Sequence, residues 1–409
     1  MSRETKNLII GLDIGTSKVV AMVADLLPEG RIEIIGMGSH ESRGLKKGVV
    51  VNIEATVNAI QRALEEAELM ADCKITRVYT GIAGSHIRSF NSTGMVPIRD
   101  KEVTPLEIDR VIETARAMPI PTDQQVLHIL TQEFIIDGQD GVREPLGMSG
   151  VRLEVKVHIV TGAVSAAQNI VKCVRRCGLE VSDLILQPLA SSLAVLTEDE
   201  RELGGCLVDI GGGTTDIAVF REGAIRYTAV IPIAGDQITN DIAMALRTPT
   251  AEAEDLKVRH GCALRQLADA KEMIEVPGVG DRPTRQLSRP MLAEVIEPRV
   301  EELYSLVQQR LRESGYEELL SSGIVLTGGS SVMQGMVELG EEIFHLPVRM
   351  GVPRYSGGLS DVVRSPRYAT AVGLLIEGKT QIERGQMARQ GSSFKQVFAR
   401  MREWFQRNF

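Results

Sequence analysis

One short pattern occurs twice in this sequence and constrains the fold more than any other feature. The stretch "LIIGLDIGTSKVVAMVADL" opens the chain, and "GGCLVDIGGGTTDIAVFREG" follows with its central Asp-Ile-Gly 196 residues further along. Each copy consists of an apolar run, a glycine-containing turn and a second apolar run, which predicts strand, turn and strand. The copies match at Asp13 and Asp209, Gly15 and Gly211, Thr16 and Thr214, Ser17 and Thr215, and Lys18 and Asp216. Two such copies predict a duplicated α/β fold with one turn facing the other across a cleft.

The composition of the two turns suits the binding of phosphate groups. Backbone amides converge at a tight turn, and glycine lets them approach an oxyanion without an intervening Cβ atom. A lone Gly-Thr turn is also a common plain connection between strands, but the duplication favours phosphate binding. Lys18 can place a positive charge near the outer phosphates, while Asp13 and Asp209 can hold Mg²⁺ through its waters. The candidate phosphate ligands are Gly15, Thr16, Ser17, Lys18, Gly211, Gly212, Gly213, Thr214 and Thr215.

Length and charge narrow the class of protein. A chain of 409 residues is too long for one hydrophobic core, so at least two domains are expected. The net charge is −8, yet residues 379–409 carry seven Lys and Arg against two Glu, so this tail is at +5 and the rest at −13. An acidic body argues against nucleic acid as a partner. Five cysteines without disulfide spacing and an N-terminus without a signal peptide favour the cytosol, and no apolar run is long enough to span a membrane.

Three motifs together resemble a known superfamily. "DIGTSK", "DIGGGTTD" and "LTGGSSVMQGM" are similar, in this order, to the two phosphate motifs and the adenosine motif of the actin-like ATPases, which include actin, MreB, sugar kinases and heat-shock chaperones. Within it, "SRGLKKGVVVNIEATVNAIQRALEEAELM", "AEDLKVRHGCAL" and "AEVIEPRVEEL" resemble the FtsA family of bacterial cell-division proteins. The resemblance extends along nearly the whole chain.

The resemblance implies a specific organisation. The expected parts are a first subdomain at 1–84 and 162–197, an inserted subdomain at 85–161, a second subdomain at 198–240 and 321–376, a fourth at 241–320, a flexible linker at 377–391 and an amphipathic helix at 392–409. It also implies ATP in the cleft and slow hydrolysis at most. The implied partners are further copies of the chain in a filament, the C-terminal peptide of FtsZ and other division proteins, at the septum on the cytoplasmic face of the inner membrane.

The same resemblance assigns residues to the nucleoside. Glu254 and Lys257 of "AEDLK" would reach the ribose and adenine, and Gly328, Gly329 and Ser330 would cover the base and sugar. A charged pair three residues apart on a helix is also common on solvated surfaces, and that alternative stays open.

Gln187, just before "PLASSLAVL", lies where hydrolysing relatives position the attacking water, which makes it a candidate catalytic residue. The alternative is a hydrogen-bonding glutamine at a strand end.

A second phosphate motif is a false match. "GLLIEGKT" (373–380) fits the P-loop pattern, but that loop functions only between a strand and the N-terminus of a helix. The preceding residues instead predict a helix that ends at Gly378, followed by the polar linker.

An arginine cluster is the candidate partner surface. Arg282, Arg285, Arg289 and Arg299 lie in "DRPTRQLSRPMLAEVIEPR", where the resemblance places the subdomain that receives the FtsZ peptide. A solvated basic helix is the alternative.

The C-terminal stretch "SSFKQVFARMREWFQRNF" contains the only tryptophan of the chain. At helical periodicity its apolar residues form one arc bordered by basic residues, which predicts a helix lying in an anionic membrane surface. Docking on the protein body or in a partner's groove is the alternative. The predicted lipid-facing residues are Phe394, Val397, Phe398, Met401, Trp404, Phe405 and Phe409, with Lys395, Arg400, Arg402 and Arg407 at the edges.

Two classes of function fit these features: an ATP-binding, polymerising adaptor that tethers FtsZ filaments to the membrane, and an ATP-dependent enzyme of the sugar-kinase or chaperone type. An actin-like cytoskeletal protein of the MreB type is a further alternative. A kinase needs a catalytic aspartate beside a sugar pocket, which the sequence does not identify, and a basic aromatic tail serves neither enzyme. The adaptor is therefore the preferred hypothesis.

Overall fold

The structure is a computed structural model and describes residues 8–280 and 282–384. Strands dominate the first part of the chain, since runs such as "KVVAMVADL" are rich in β-branched residues that pack well on a pleated sheet. Its elements are β1 (Leu8–Ile14), β2 (Lys18–Leu26), β3 (Ile32–Glu41), β4 (Leu45–Lys46), β5 (Val49–Val50), α1 (Ile53–Ala71), β6 (Arg77–Ile82), β7 (Arg88–Pro97), α2 (Pro105–Arg116), β8 (Gln124–Ile136), β9 (Gln139–Val142), β10 (Arg152–Ala163), α3 (Val164–Arg176), β11 (Glu180–Leu186), α4 (Gln187–Val195) and α5 (Glu198–Leu203).

The second part of the chain carries more helix. Its elements are β12 (Gly205–Ile210), β13 (Thr215–Arg221), β14 (Ala224–Ile231), α6 (Gly235–Leu246), α7 (Thr250–His260), β15 (Met273–Val276), β16 (Arg285–Ser288), α8 (Arg289–Ser314), β17 (Ile324–Thr327), α9 (Met336–Phe344), β18 (Val348–Met350), α10 (Ser360–Val363) and α11 (369–384).

The two halves have the same sheet topology. The first sheet has the order β3-β2-β1-β6-β11 and the second β14-β13-β12-β17-β18, each with an antiparallel meander followed by parallel strands. The predicted duplicated α/β fold is confirmed.

The register of the strands corrects the predicted match between the copies. Gly15 donates to the carbonyl of Lys18 at 2.9 Å, and Gly211 donates to the carbonyl of Thr214 at 3.0 Å. Because both turns have the same length, the counterpart of Lys18 is Thr214, not Asp216. By the same spacing Thr16 and Ser17 correspond to Gly212 and Gly213, so the match to Thr214 and Thr215 was two residues out of register.

Helices α4 and α11 join the halves. Side chains alternate along a strand, so β1 places Leu12 towards α1 and α3 and Ile9 on the opposite face, against α11. Leu207 and Phe220 of the second sheet belong to the same apolar cluster as Ile9 and Leu375 of α11. A shared core therefore connects the halves next to the cleft.

Helix α11 does not end where the sequence predicted. Residues 369–384 are helical, so the helix passes through Gly378, and the predicted linker at 377–391 is wrong for 377–384. Gly378 allows the helix to approach the first sheet, since a Cβ there would lie 2.7 Å from Ile9 and 2.8 Å from Tyr79. Gln381 then donates to Asp183 of β11 at 2.7 Å. The P-loop match at 373–380 lies inside this helix, which is not a phosphate-binding geometry.

The inserted subdomain is a four-stranded sheet, β7-β10-β8-β9, covered by α2. Gly94 of β7 allows the helix to approach, since a Cβ there would lie 2.2 Å from the carbonyl oxygen of Val111. Strand β10 continues directly into α3 of the first half, so both connections of the insert lead to that half. The predicted insertion is confirmed.

Candidate functional site

The two glycine turns meet at the bottom of a cleft between the halves. A Cβ at Gly212 would lie 2.1 Å from the Ser17 hydroxyl, and one at Gly213 would lie 2.7 Å from the Thr16 hydroxyl. Only glycine in the second turn permits this approach, which explains why that turn has three in succession. The predicted phosphate residues of both halves, from Gly15 to Lys18 and from Gly211 to Thr214, line this one cleft.

Thr215 lies outside the cleft lining. Adjacent residues of a strand point to opposite faces, so Thr214 faces the cleft and Thr215 is fully buried beneath it. Its hydroxyl donates to the carbonyl of Ile233 at 2.8 Å. The predicted donor role of Thr215 is therefore wrong, and its hydroxyl anchors the turn instead.

Buried carboxylates lie beside the turns. Asp13 and Asp209 end the central strands of the two sheets, and each is only 8% exposed. Burial raises the pKa of Asp13 to about 7; the Lys18 ammonium opposes this shift and the nearby Asp209 carboxylate reinforces it. Burial also raises the pKa of Asp209, although Ser191 donates to it at 2.5 Å. Two desolvated carboxylates this close create a strongly negative potential that favours a cation.

Asp216 is a third buried carboxylate that sequence reasoning did not assign to ligand binding. Thr214 donates to one of its oxygens at 3.0 Å, while the other is buried without a partner among the described residues. Burial raises the pKa of Asp216 to about 8, with Asp209 contributing. Asp216 belongs to the cleft lining, and a buried oxygen without a partner there fits the binding of a cation or its water.

Lys18 has other partners besides the Asp13 carboxylate. Its ammonium donates to the carbonyl of Arg367 at 2.6 Å and lies 4.1 Å from the centre of the Tyr368 ring. Burial lowers the pKa of Lys18 to about 8, opposed by the Asp13 carboxylate. A desolvated ammonium at the cleft can thus bind an anion strongly.

The residues assigned to the nucleoside lie on the second half's side of the cleft. Lys257, 9% exposed, donates to Glu254 at 2.6 Å and to the carbonyl of Gly235 at 3.1 Å, so this pair is not simply a solvated helix face. Ser330 donates to the carbonyl of Gly211 at 2.8 Å, which connects the predicted adenosine loop to the second phosphate turn.

Gly328 at the start of that loop has φ +89°, and a Cβ there would lie 2.4 Å from Asp209. Gly329 follows it in the cleft lining. The backbone of this loop therefore closes the cleft directly over a candidate cation ligand.

Gln187 lies on the floor of the cleft, at the first residue of α4. Its amide donates to Asp13 at 3.1 Å. This places a polar side chain beside a candidate cation ligand, and its catalytic role stays a prediction. Sequence reasoning missed other cleft residues because they come from distant segments: Gly48, Gly81, Arg367 and Thr370.

Within residues 8–280 and 282–384, three or more His, Cys, Asp or Glu side chains nowhere group closely enough to hold a metal ion by themselves. The same residues contain no helix that is both long and apolar enough to span a membrane. A cation in the cleft would thus take its remaining ligands from water and phosphate, as Mg²⁺ does.

The candidate partner arginines differ in how they are bound. Arg289 donates to Glu272 at 3.1 Å and to Gln334 at 2.6 Å, and Arg299 pairs with Asp241. Both are tied to the fold, whereas the exposed Arg285 donates to the carbonyl of Leu246 and Arg282 is also exposed. Arg282 and Arg285 are therefore the more accessible pair. The predicted lipid-facing residues, from Phe394 to Phe409, lie outside the described residues.

Comparison with solved structures defines the class. The PilM-PilN type IV pilus biogenesis complex matches with a TM-score of 0.66 at 19% identity, over 91% of this chain and 98% of that chain. MreB5 of Spiroplasma citri bound to ADP matches with a TM-score of 0.53 at 16% identity, over 93% of this chain and 98% of that chain. The molecule has the actin-like ATPase fold.

Sequence relatives define the family. The family model "Cell division protein FtsA" matches residues 206–373, and "SHS2 domain inserted in FTSA" matches residues 84–161. Cell division protein FtsA of Pseudomonas aeruginosa is 63% identical over 415 residues, which cover 100% of both chains. The Escherichia coli K12 protein of that name is 48% identical over 418 residues, 99% of each chain. The chain belongs to the FtsA family of cell-division proteins.

Proposed function

We propose that this protein is an ATP-binding division adaptor that polymerises and tethers FtsZ filaments to the cytoplasmic face of the inner membrane at the septum. The observation that carries the proposal is the cleft, in which the two copies of the glycine turn lie together with buried carboxylates. The chain also matches a division protein over its full length. Full-length similarity at this level does not favour the sugar-kinase, chaperone or MreB-type alternatives.

The cleft residues divide into three roles. The turn amides and Lys18 would hold the phosphates, because they bring donors and positive charge into a desolvated site. Asp13, Asp209 and Asp216 would hold Mg²⁺, directly or through its waters, and the ion would neutralise the charge of the outer phosphates. Glu254, Lys257 and the loop 328–330 would enclose the nucleoside.

Gln187 is the candidate for positioning water, since its amide lies at the carboxylate on the cleft floor. A tether does not require rapid hydrolysis of ATP. The nucleotide would serve to fix the two halves relative to each other, because each half contributes one of the turns that grip it.

The tether itself would be the C-terminal segment 392–409. Its aromatic residues can settle at the boundary between headgroups and acyl chains, and each basic residue adds about 1 kcal/mol on an anionic surface. A single short helix binds reversibly, but polymerisation lines up many copies and multiplies their hold. Filament formation with nucleotide would thus increase the time that the protein spends on the membrane.

The proposal is tested by co-sedimentation with vesicles that contain anionic phosphatidylglycerol, with and without Mg·ATP. We expect the full chain to pellet with the vesicles, and more so with ATP. Trp404→Glu should abolish pelleting and leave ATP binding intact, whereas Gln406→Glu, which adds the same charge off the apolar arc, should pellet almost normally. Equal pelleting of Trp404→Glu and the wild-type protein would refute the tether.

A further inference from the structure

The inserted subdomain is attached by its chain to the first half but bonded by its side chains to the second. Both connections of the insert lead into the first half, and Leu186 of β11 in that half donates to His128 of β8 at 2.9 Å. On its other side the insert faces β14, an edge strand of the second sheet. The insert therefore bridges the two halves on the outside of the cleft.

A row of hydrogen bonds crosses from the insert to β14, and we call it the insert latch. Ser89 donates to the carbonyl of Thr228 at 3.0 Å, and Asn91 donates to the carbonyl of Arg226 at 3.3 Å. Gln132 donates to the carbonyl of Ile225 at 3.0 Å. These side chains satisfy carbonyls on the unpaired edge of β14 that would otherwise need another strand or water.

His158 completes the latch from the centre of the insert. It is 1% exposed, and its Nδ1 lies 2.8 Å from the Asn91 amide oxygen. That oxygen can only accept, so Nδ1 carries the proton and Nε2 accepts from the Thr228 hydroxyl at 3.0 Å. Gln132 also donates to the Asn91 oxygen at 3.2 Å. The donors and acceptors of the latch are thus mutually matched, as expected of a specific contact.

Strand β14 transmits the position of the second phosphate turn. It pairs with β13 from Arg221 back to Thr215, the residue that follows the turn. Beyond β14 the chain returns to the same turn, where Gly235 donates to the carbonyl of Gly211 at 3.1 Å and Asp236 to that of Gly212 at 2.7 Å. The turn and β14 therefore move as one unit.

We propose that the insert latch couples nucleotide in the cleft to the position of the inserted subdomain, a regulation that rests on the proposed nucleotide binding. Hydrogen bonds near 3 Å weaken steeply when their atoms shift. When the halves move apart, the latch must either break or carry the insert with the second half. At the first of the insert's two connections, Gly84 has φ +130°, a backbone conformation that favours glycine.

The direction of the coupling follows from the geometry. The latch is formed in the structure in which the two turns lie so near each other that a Cβ at Gly212 would be 2.1 Å from the Ser17 hydroxyl. It therefore stabilises this arrangement of the halves, and a nucleotide gripped by both turns should leave it more slowly. Coupling between two sites is reciprocal, so a nucleotide that favours closure must also favour the latch.

The test uses the full chain with Mg²⁺ and the fluorescent nucleotide mant-ATP, whose dissociation is followed by stopped flow. Asn91→Ala with Gln132→Ala should accelerate dissociation about fivefold or more, the range typical of allosteric coupling. Thr93→Ala is the matched control, because Thr93 lies on the same face of β7 and makes no side-chain hydrogen bond to the second half within residues 8–280 and 282–384.

A second variant locks the latch with a covalent bond. Ser89→Cys with Thr228→Cys should form a disulfide under oxidation, and the oxidised form should release mant-ATP more slowly than the same variant reduced with dithiothreitol. Mg·ATP should also speed the formation of that disulfide. Release that is equal in the oxidised and reduced forms, or faster in the oxidised form, would overturn the coupling while nucleotide binding stands. If the wild-type chain binds no mant-ATP, the proposed nucleotide site fails and the coupling with it.

Discussion

Replacing Asp13 by asparagine should stabilise the nucleotide-free protein and at the same time destroy its response to nucleotide. Burial raises the pKa of Asp13 from its ordinary value of 3.8 to about 7. The folded protein therefore binds this proton more tightly than the unfolded chain. The resulting stabilisation is complete below pH 4, is lost as the pH rises from about 4 to 7, and is absent above that range.

The magnitude follows from the same pKa. A carboxylate whose pKa rises from 3.8 to about 7 costs the folded state about 4 kcal/mol at pH 8.5. The attraction of Lys18 is already contained in that pKa. Asparagine removes the cost of the buried charge but adds a buried amide NH₂ group that needs a partner, at about 1–3 kcal/mol, so we expect a net gain of about 2 kcal/mol. For a chain of 409 residues that unfolds as one unit, this corresponds to a rise in Tm of about 2–3 °C in a thermal melt.

The assay is a thermal melt of the apo protein at pH 5.5 and 8.5, followed by melts with Mg·ATP at pH 7.5. The gain of Asp13→Asn should be larger at pH 8.5 than at pH 5.5, because the wild-type carboxyl is still protonated at the lower pH. With Mg·ATP the wild-type Tm should rise by mass action, while the variant should not respond.

Asp140→Asn is the control, since Asp140 is exposed in the insert. This substitution should change neither the Tm of the apo protein nor the rise in Tm with Mg·ATP. A lower apo Tm of Asp13→Asn at pH 8.5, or a gain that is the same at both pH values, would refute the view that a buried charge at the cleft is tolerated for the sake of binding.

Three further predictions follow from the packing and the charges. Gly378→Ala should lower the unfolding free energy by about 1–3 kcal/mol because its methyl group overpacks the first sheet, as measured by thermal or urea unfolding; an unchanged stability would contradict the close approach of α11. Gly212→Ala should leave the fold intact but abolish the thermal shift with Mg·ATP, because its Cβ would lie 2.1 Å from the Ser17 hydroxyl; a full shift would show that the turns do not grip the ligand. Arg285→Glu should weaken binding of the FtsZ C-terminal peptide in a fluorescence titration about tenfold, whereas Arg312→Glu on the far end of α8 should not; equal affinities would exclude Arg285 from that surface.

The sequence was sufficient for those parts of the site that are local in the chain. Each phosphate turn is a continuous stretch between two apolar strands, so its chemistry and its duplication are visible in the letters alone. The loop at 328–330 was assigned to the nucleoside by the resemblance of its continuous motif to the actin-like ATPases, and it too lines the cleft. The two turns needed only local geometry and the inference that the copies face each other.

Tertiary packing decided the rest. Glycine is typical of a helix end, and Gly378 was therefore predicted to end the helix. In the fold its missing side chain instead lets α11 lie close to Tyr79, a contact that no local pattern in the sequence shows. Thr214 and Thr215 are adjacent and chemically identical, so only the direction of each side chain in the fold shows which of them faces the cleft. The match between the two copies, made from the sequence alone, was two residues out of register at this point. Arg367 enters the cleft from a segment more than 300 positions away from Lys18 in the chain. Its backbone carbonyl nevertheless accepts a hydrogen bond from the Lys18 ammonium.

The equal strand order of the two halves has a consequence for the orientation of whatever lies between them. A cleft made from two identical halves would present the same groups to both ends of a ligand and could bind it in either direction. Here the fourth turn position is Lys18 in one half and Thr214 in the other, and only the second half supplies Lys257 and the loop at 328–330. The duplicated scaffold has thereby become directional: an elongated ligand with a charged end and an uncharged end fits the cleft in one direction.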